Sequence, residues 1–190
     1  GSVTAGPGWN NLDIRSPFWD PSRCALLVLG IDPGSTATGY AAISRARGRY
    51  VLVGAGVIRT TASQPMPERL KLIYAGVMDV VARFQPDEAA IEAIFKHRSA
   101  ESALRLGQAR GVALLALAQA DLWVGEYNPM TVKKTVAGHG RADKADLGRV
   151  VTRLLGLEKA LASDAADAAA IAMTHHAHRG MALIAAGARR

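Results

Sequence analysis

The sequence is poor in cysteine, in aromatic residues and in long apolar runs. Its single cysteine, Cys24, excludes an internal disulfide framework and a zinc site built on cysteine ligands, and it suits a reducing cytosol. Aromatic residues make up only 5% of the chain, so alanine and the aliphatic residues must form most of the core. The longest apolar runs, such as residues 24–29, are far too short to cross a membrane. We therefore expect a cytoplasmic protein with no membrane segment.

Acidic residues are also few relative to basic ones. The 190 residues include 16 Asp and Glu against 23 Lys and Arg, which gives a net charge of +7. With 49% hydrophobic residues, a chain of this length can bury a substantial core as one domain. Such an excess of positive charge suits a polyanionic partner, nucleic acid above all, although charge alone fits a merely solvated surface equally well.

The two ends of the chain lack the pattern of a folded domain. Residues 1–23 begin with Gly-Ser, are rich in Gly, Pro, Asn and Ser, and show no hydrophobic period. We predict that they form a disordered or vector-derived extension. The folded domain is expected over residues 24–180, followed by a basic tail over residues 181–190.

Hydrophobic periodicity predicts a mixed α/β domain. The predicted strands are residues 25–31, 39–44, 50–60, 89–94 and 122–127, and the predicted helices are residues 67–84, 99–120, 129–137, 141–155 and 163–178. The arginine-rich turn at residues 45–49 joins the second and third strands as a hairpin. An order of three strands, then helix, strand, helix, strand and further helices favours a mixed five-stranded sheet flanked by helices.

Four carboxylates occur where packing alone would not place an acid. Asp32 ends the first apolar strand, Glu92 is the only charge in the strand at residues 89–94, and Asp164 and Asp167 lie in an apolar helix at a spacing that puts both on one face. A buried carboxylate needs a partner or a cation. If the four converge, they suit divalent metals with oxygen ligands, and two such ions about 3.5–4 Å apart form the kind of site that cleaves phosphodiesters.

Each of these residues also has a simpler interpretation. Asp32 precedes Pro-Gly and would serve as a plain turn residue, and Asp164 would favour the positive end of a helix dipole. His175 lies eight residues beyond Asp167 on the predicted helix, about 12 Å along its axis. That separation places His175 outside a metal site with Asp167, and we expect it to form a polar helix end with His176 and His178.

Several separate segments, in order, resemble the RuvC family of Holliday junction resolvases. Residues 30–40 (GIDPGSTATGY) resemble the opening motif of that family. The further segments that look like the family are residues 69–76 (RLKLIYAG), 90–95 (AIEAIF), 102–111 (SALRLGQARG), 132–138 (VKKTVAG) and 164–175 (DAADAAAIAMTH). The resemblance covers roughly residues 27–178. It implies a ribonuclease-H-like fold and a homodimer that nicks four-way DNA junctions symmetrically during recombination and repair.

The resemblance also implies the roles of particular residues. Asp32, Glu92, Asp164 and Asp167 would be catalytic and would hold two Mg²⁺ or Mn²⁺ ions per active site. Some members of the family carry His at the position of Asp164, so here an all-carboxylate site is expected. Lys144 matches a family lysine to which we assign charge stabilisation near the scissile phosphate, the alternative being a solvated helix lysine.

A second set of residues is expected to contact DNA. Phe95 matches a family aromatic that engages bases at the junction, and the alternative for it is a core residue that caps the strand. Basic residues close to it or on the later helices would hold phosphates; the predicted set is Phe95, Lys96, Arg98, Lys133 and Lys134. The basic region continues through Arg141, Arg149 and Arg153.

The predicted helix at residues 99–120 carries two glycines, Gly107 and Gly111, each of which costs about 1 kcal/mol relative to alanine. Close packing against the sheet or against a partner subunit would offset that cost, which favours this helix as the dimer surface. A branch-migration motor is a further expected partner. The alternatives are an RNA-processing nuclease of the same fold, a non-catalytic junction-binding protein, and an actin-like ATPase domain, whose phosphate loop residues 32–39 also fit.

Overall fold

A computed structural model describes residues 25–93 and 99–187 of the chain, and the side chains among these only as far as residue 179. The predicted extension at residues 1–23 lies outside the described residues, as do three predicted DNA contacts, Phe95, Lys96 and Arg98. Within the described part of the chain, no helix is long and apolar enough to cross a membrane.

The described residues form one five-stranded sheet in the order β3-β2-β1-β4-β5. The strands are β1 (Leu27–Asp32), β2 (Ala37–Ala46), β3 (Arg49–Arg59), β4 (Glu88–Glu92) and β5 (Trp123–Tyr127). β1, β2 and β3 pair antiparallel, whereas β4 pairs parallel with both β1 and β5. Arg47 and Gly48, both with positive φ, make the turn of the β2–β3 hairpin as predicted.

Five helices flank the sheet. They are α1 (Met66–Phe84), α2 (Ala100–Gln119), α3 (Pro129–Ala137), α4 (Lys144–Leu154) and α5 (Ser163–Gly187). Helices α1 and α2 cover one face together with buried residues such as Ile73, Val77 and Leu117, and α5 covers the other face with a row of buried alanines. The predicted α/β fold with a mixed, helix-flanked sheet is confirmed.

Helix α5 lies in direct contact with the sheet because both surfaces carry small residues. A Cβ at Gly30 of β1 would stand 2.0 Å from the carbonyl oxygen of Ala168, and one at Gly39 of β2 would stand 1.9 Å from that of Asp164. Neither distance leaves room for a side chain, so both positions require glycine. This close approach sets where the first turn of α5 lies relative to the end of β1.

The structure corrects two element boundaries. Helix α5 was predicted to end near residue 178 but continues to Gly187, because the added residues are mostly Ala, Leu and Met, which are strong helix formers. Most of the predicted tail at residues 181–190 is therefore helical. Strand β4 was predicted to reach residue 94 but ends at Glu92, so Glu92 lies at the end of its strand rather than in the middle.

Candidate active site

Two neighbouring strands end side by side at the candidate site. Asp32 is the last residue of β1 and Glu92 is the last residue of β4. Since the strands run parallel with Ile31 opposite Ile91, the next residues, Asp32 and Glu92, lie beside each other at the same edge of the sheet. The strand ends thus bring together two carboxylates that are 60 residues apart in sequence.

The first turn of α5 brings two more carboxylates to this edge. Gly39 pairs with Asp32 across β1 and β2, and the backbone of Asp164 packs directly on Gly39. Asp167 follows one helical turn later, so it lies on the same face of α5 as Asp164. Asp32, Asp164 and Asp167 are all partly buried rather than fully exposed.

Lys144 approaches the carboxylates from a different helix. It is the first residue of α4, whose N-terminus is capped by the Asp143 side chain. Its Nζ donates to Oδ2 of Asp167 at 2.9 Å, and the Asp167 side chain is only 16% exposed. The Lys144 side chain itself is 70% exposed, so its ammonium group remains accessible from solvent.

The electrostatics confirm that these groups form one coupled cluster. Burial first, and then the nearby charges of Glu92, Asp167 and Asp164, together raise the pKa of Asp32 to about 8. Lys144 acts in the opposite direction. A carboxyl group with such a pKa retains its proton at neutral pH unless a cation replaces that proton.

The pKa values of Glu92 and Lys144 are shifted by the same cluster of charges. The pKa of Glu92 is raised by burial and then by Asp167, and it is lowered by Lys144 and Lys133. The pKa of Lys144 is raised above its usual value, first by its hydrogen bond to Asp167 and then by the charges of Asp167, Asp32 and Asp164, while burial opposes them. The negative charge of the site thus exceeds the positive charge that neighbouring side chains supply.

The donor set fits hard divalent cations. All four candidate ligands offer carboxylate oxygens, which Mg²⁺ and Mn²⁺ prefer. The raised pKa of Asp32 and of Glu92 reflects burial first and repulsion second, and a bound cation would relieve both. In their present arrangement, no three metal-ligating side chains of the described residues are close enough to hold one ion. Binding therefore requires these side chains to turn inward, and Asp167 to exchange its contact with Lys144.

The predicted DNA contacts are only partly within the described structure. Lys133 lies close enough to Glu92 to lower its pKa, so helix α3 borders the site. Lys134 is exposed on the same helix. Beside the carboxylates, a groove of about 680 Å³ runs between α4 and the start of α5, and Lys144, Arg149 and Arg153 line it.

Two arginines that the sequence analysis did not single out reach the same edge of the sheet. Arg69 of α1 is buried and donates Nε and Nη2 to the carbonyl oxygen of Ser35, three residues after Asp32, at 2.9 and 2.5 Å. Arg110 of α2 donates Nε to the carbonyl oxygen of Glu92 at 2.9 Å. The sequence offers one indication of such a residue, an arginine on the apolar face of a helix, but it does not reveal which backbone carbonyl the arginine contacts.

The histidines lie away from the carboxylates, as expected for His175, but they do not form a polar helix end. His175 and His176 are 1% and 5% exposed, because α5 continues beyond them and covers the sheet. His175 pairs with Glu88 at 2.7 Å through Nε2 and with the hydroxyl of Tyr127 at 3.1 Å through Nδ1. This buried network joins α5 to Glu88, the first residue of β4, and to Tyr127, the last residue of β5.

Comparisons with known proteins place the chain in a single family. Residues 28–175 match the family model described as crossover junction endodeoxyribonuclease RuvC. A protein of that name from Pectobacterium atrosepticum is 52% identical over 150 residues, which span 78% of this chain and 87% of that protein. Its counterpart from Haemophilus influenzae strain PittEE is 51% identical over 150 residues, 78% of each chain.

Solved structures agree with the sequence comparisons. T. thermophilus RuvC, solved in complex with a Holliday junction substrate, superposes with a TM-score of 0.77 at 38% identity, over 83% of this chain and 96% of that chain. The yeast mitochondrial Holliday junction resolvase Ydc2 superposes with a TM-score of 0.57 at 14% identity, over 77% of this chain and 76% of that chain, and shares the fold alone.

Proposed function

The chain belongs to the RuvC family of crossover junction endodeoxyribonucleases, and from that premise we propose how its carboxylate cluster carries out the reaction. The family relationship makes it a Holliday junction resolvase, a metal-dependent hydrolase that cuts phosphodiester bonds in four-way DNA junctions. Identity of about 50% over most of the domain favours this activity over the RNA-processing and non-catalytic alternatives.

The observation that carries the proposal is the convergence of four carboxylates from three elements on one sheet edge. Asp32, Glu92, Asp164 and Asp167 come from the ends of two parallel strands and from the first turn of a helix packed on them. Burial, and after it the repulsion of neighbouring carboxylates, raises the pKa of Asp32 and of Glu92. A protein does not maintain such a cluster for stability, since each buried like charge costs free energy.

We assign the four carboxylates to two divalent cations, Mg²⁺ or Mn²⁺, per active site. When bound, the pair of ions activates the attacking water and stabilises the leaving 3′ oxygen of the scissile phosphodiester. Asp32 has the central position, because it is coupled electrostatically to all three of the other carboxylates. It is therefore the residue we expect to be shared between the ions.

Lys144 supplies positive charge on the open side of the cluster. Its ammonium group is exposed to solvent yet bonded to Asp167, so it can leave that carboxylate and approach a phosphate oxygen of the substrate. In that position it would stabilise the negative charge that develops on the scissile phosphate. Lys144 is thus a catalytic residue in this proposal, and the contact with Asp167 is its resting state.

The junction itself would be held by cations around the cluster and by an aromatic group. Lys133 and Lys134 on α3 and the groove lined by Arg149 and Arg153 offer positive charge on two sides of the site. Phe95, Lys96 and Arg98, which follow Glu92 in sequence, keep their proposed roles in stacking and phosphate contact, although they lie outside the described residues.

We also propose that the protein acts as a homodimer in the cytoplasm, together with a branch-migration motor. Each chain has one carboxylate cluster, whereas resolution of a four-way junction requires two nicks. The outer face of α2 exposes Leu104 to 64% and Leu115 to 52%, and an added Cβ at Gly111 between them would meet no atom within 4 Å beyond the helix's own backbone. A second copy that packs on this face would bury those side chains and could approach the helix closely at the glycine.

Cleavage of a synthetic four-way junction tests the assignment. With Mg²⁺ or Mn²⁺, the parent should cut the junction symmetrically and leave a linear duplex of the same sequence intact. Asp32→Asn, Glu92→Gln and Asp167→Asn should each reduce cutting to less than a few per cent of the parent rate. Junction binding, measured in the presence of Ca²⁺ by gel mobility shift, should persist because the variants remove no DNA contact.

A matched control is Asp79→Asn, which removes an exposed carboxylate from α1, far in sequence from the cluster, and should cut like the parent. Cutting at more than a few per cent of the parent rate by any of the three cluster variants would count against the metal-ligand assignment. Binding without any cutting by the parent, with either metal, would favour the non-catalytic alternative instead.

A further inference from the structure

Arg110 connects three elements at the point where Glu92 leaves the sheet. Its guanidinium Nε donates to the carbonyl oxygen of Glu92 at 2.9 Å, and Nη2 of the same group pairs with the carboxylate of Glu126 on β5. The arginine side chain is only 15% exposed. A single group on α2 thus holds the ends of β4 and β5 together.

The Glu92 carbonyl needs this donor because of a proline in the neighbouring strand. Strands β1 and β4 run parallel with Ile31 opposite Ile91, so the register places Asp32 beside Glu92 and residue 33 one step further. A parallel ladder continued by one step would pair the Glu92 carbonyl with the amide of residue 33. Residue 33 is Pro33, which has no N–H to give. The arginine supplies the donor that the strand does not.

Neighbouring carboxylates also repel the side chain of Glu92. Asp32 and Asp167 carry the same charge and lie close enough to Glu92 for each to be coupled to it electrostatically. Only one further backbone bond, from the amide of Ala93 to the carbonyl of Tyr127, follows Glu92 within the described residues before the chain leaves them. The strand end that carries Glu92 therefore depends on few contacts to resist that repulsion.

Arginine suits the position better than any other side chain. Its planar fork can donate to the carbonyl of β4 and to the carboxylate of β5 at once, whereas lysine offers one point of charge. The neighbouring buried residues of α2, Ala109 and Ala113, keep the helix close to the sheet, so the arginine reaches both partners without crossing solvent.

We propose that Arg110 is a positioning residue for the reaction, which holds the backbone of Glu92 so that its carboxylate stays within reach of the metal ions. The proposal rests on the role of Glu92 in the proposed function. Arg110 does not touch the substrate or the metal in this account, and it acts only through Glu92. Its removal should therefore weaken metal binding and slow the cutting step without lowering the affinity for the junction.

The test compares Arg110→Gln and Arg110→Lys with Arg105→Gln. Arg105 lies on the same helix and pairs with Glu101 by the same chemistry, but the described structure gives it no contact with β4, so Arg105→Gln controls for the loss of an arginine from α2. Three quantities are measured for each protein: single-turnover cutting of a four-way junction across Mg²⁺ concentrations, junction affinity in Ca²⁺, and Mn²⁺ affinity from the EPR signal of the free ion.

Arg110→Gln should cut the junction about 10²-fold more slowly than the parent, as expected when a reacting group is misplaced by about 1 Å. It should also bind Mn²⁺ at least fivefold more weakly while holding the junction within threefold of the parent. Arg110→Lys should recover part of both losses, because an ammonium group can still donate to one carbonyl. Arg105→Gln should match the parent in all three measurements.

Two outcomes distinguish failure of this inference from failure of the proposed function. If Glu92→Gln is inactive and Arg110→Gln has parent-like Mn²⁺ affinity and cutting rate, the positioning role is wrong and the metal assignment stands. If Glu92→Gln cuts at the parent rate, the metal assignment itself fails. If Arg110→Gln does not fold, Arg110→Lys is compared with Glu126→Gln, which leaves Arg110 in place. We then expect Arg110→Lys to bind Mn²⁺ more weakly than Glu126→Gln. Equal Mn²⁺ affinity of the two variants would overturn the inference.

Discussion

At the scale of single residues, Asp32 combines the strongest burial with the strongest repulsion, and this has a consequence for stability. Its pKa is about 8 in the folded protein against 3.8 ordinarily, so between those values the folded state keeps a proton that the unfolded chain has released. The folded state then binds more protons than the unfolded state. Stability in the absence of metal should therefore fall as the pH rises from about 4 to 8.

Asp32→Asn should remove this penalty. One pKa unit corresponds to about 1.4 kcal/mol, so the variant should exceed the parent in free energy of unfolding by at least about 2 kcal/mol at pH 8 in EDTA. The difference should shrink as the pH falls to 4 and below, because the carboxyl of the unfolded parent then also takes up its proton. Urea unfolding at both pH values measures it. A variant less stable than the parent at pH 8, or a difference that does not change with pH, would contradict the raised pKa of Asp32.

The sequence could indicate the four carboxylates but not their surroundings. An acid within an apolar run is visible in the sequence, and the structure brings Asp32, Glu92, Asp164 and Asp167 to one edge of the sheet. The sequence predicted a role for Lys144 near the phosphate but not its contact with Asp167, because 23 residues separate the two. Arg110 could not be found, because its partner is a backbone carbonyl whose need for a donor depends on strand register.

At the scale of elements, the position of α5 on the sheet decides the geometry of the site. The first turn of α5 rests on Gly39, and an alanine there would place a Cβ 1.9 Å from the Asp164 carbonyl oxygen. We expect Gly39→Ala to push this turn outward, to destabilise the protein by about 1–3 kcal/mol, and to slow junction cutting by about 10²-fold. Single-turnover cutting at a temperature where the variant remains folded, together with urea unfolding, measures both effects.

Gly148→Ala is the matched control for that experiment. Gly148 lies in α4, and an added Cβ would meet no atom within 4 Å, so alanine should raise the stability by about 0.5–1 kcal/mol through helix propensity. If Gly39→Ala cuts as fast as the parent, the packing of α5 on β2 does not set the geometry of the site.

The sequence predicts elements better than it predicts where they end. Every strand and helix of the described chain was predicted from hydrophobic period, because each has one face or both faces in the core. The end of β4 was missed because residues 93 and 94 are apolar and continue the sequence pattern, whereas in the structure the strand ends at Glu92, beside the end of β1 at Asp32. The end of α5 was missed because the histidines resemble a polar terminus while they are in fact buried.

At the scale of the whole molecule, the proposed homodimer would bring two chains, each with the carboxylate cluster of its described residues, to one junction. We expect a mixed dimer of one parent chain and one Asp32→Asn chain, purified by two different tags, to nick only one strand per encounter. On a supercoiled plasmid that extrudes a cruciform, the parent dimer should yield linear product. The mixed dimer should yield mainly nicked circles, because the first nick relaxes the plasmid and the cruciform is reabsorbed.

The control for the mixed dimer is a dimer assembled from two differently tagged parent chains, which should linearise the plasmid like the untagged protein. Linear product from the mixed dimer at the control's efficiency would mean that one cluster serves both strands. The two-site dimer would then be wrong, whereas the assignment of the cluster itself would remain.

In the proposed reaction, the carboxylate cluster would hold a metal ion that stabilises the leaving oxygen of the scissile phosphodiester. Replacing the bridging 3′ oxygen at the cleavage position of a four-way junction by sulfur tests this most directly, because Mg²⁺ binds sulfur poorly and Mn²⁺ binds it better. The sulfur junction should be cut at least tenfold more slowly than the oxygen junction in Mg²⁺, and Mn²⁺ should restore most of the rate. An equal ratio of sulfur to oxygen rates in the two metals would contradict it.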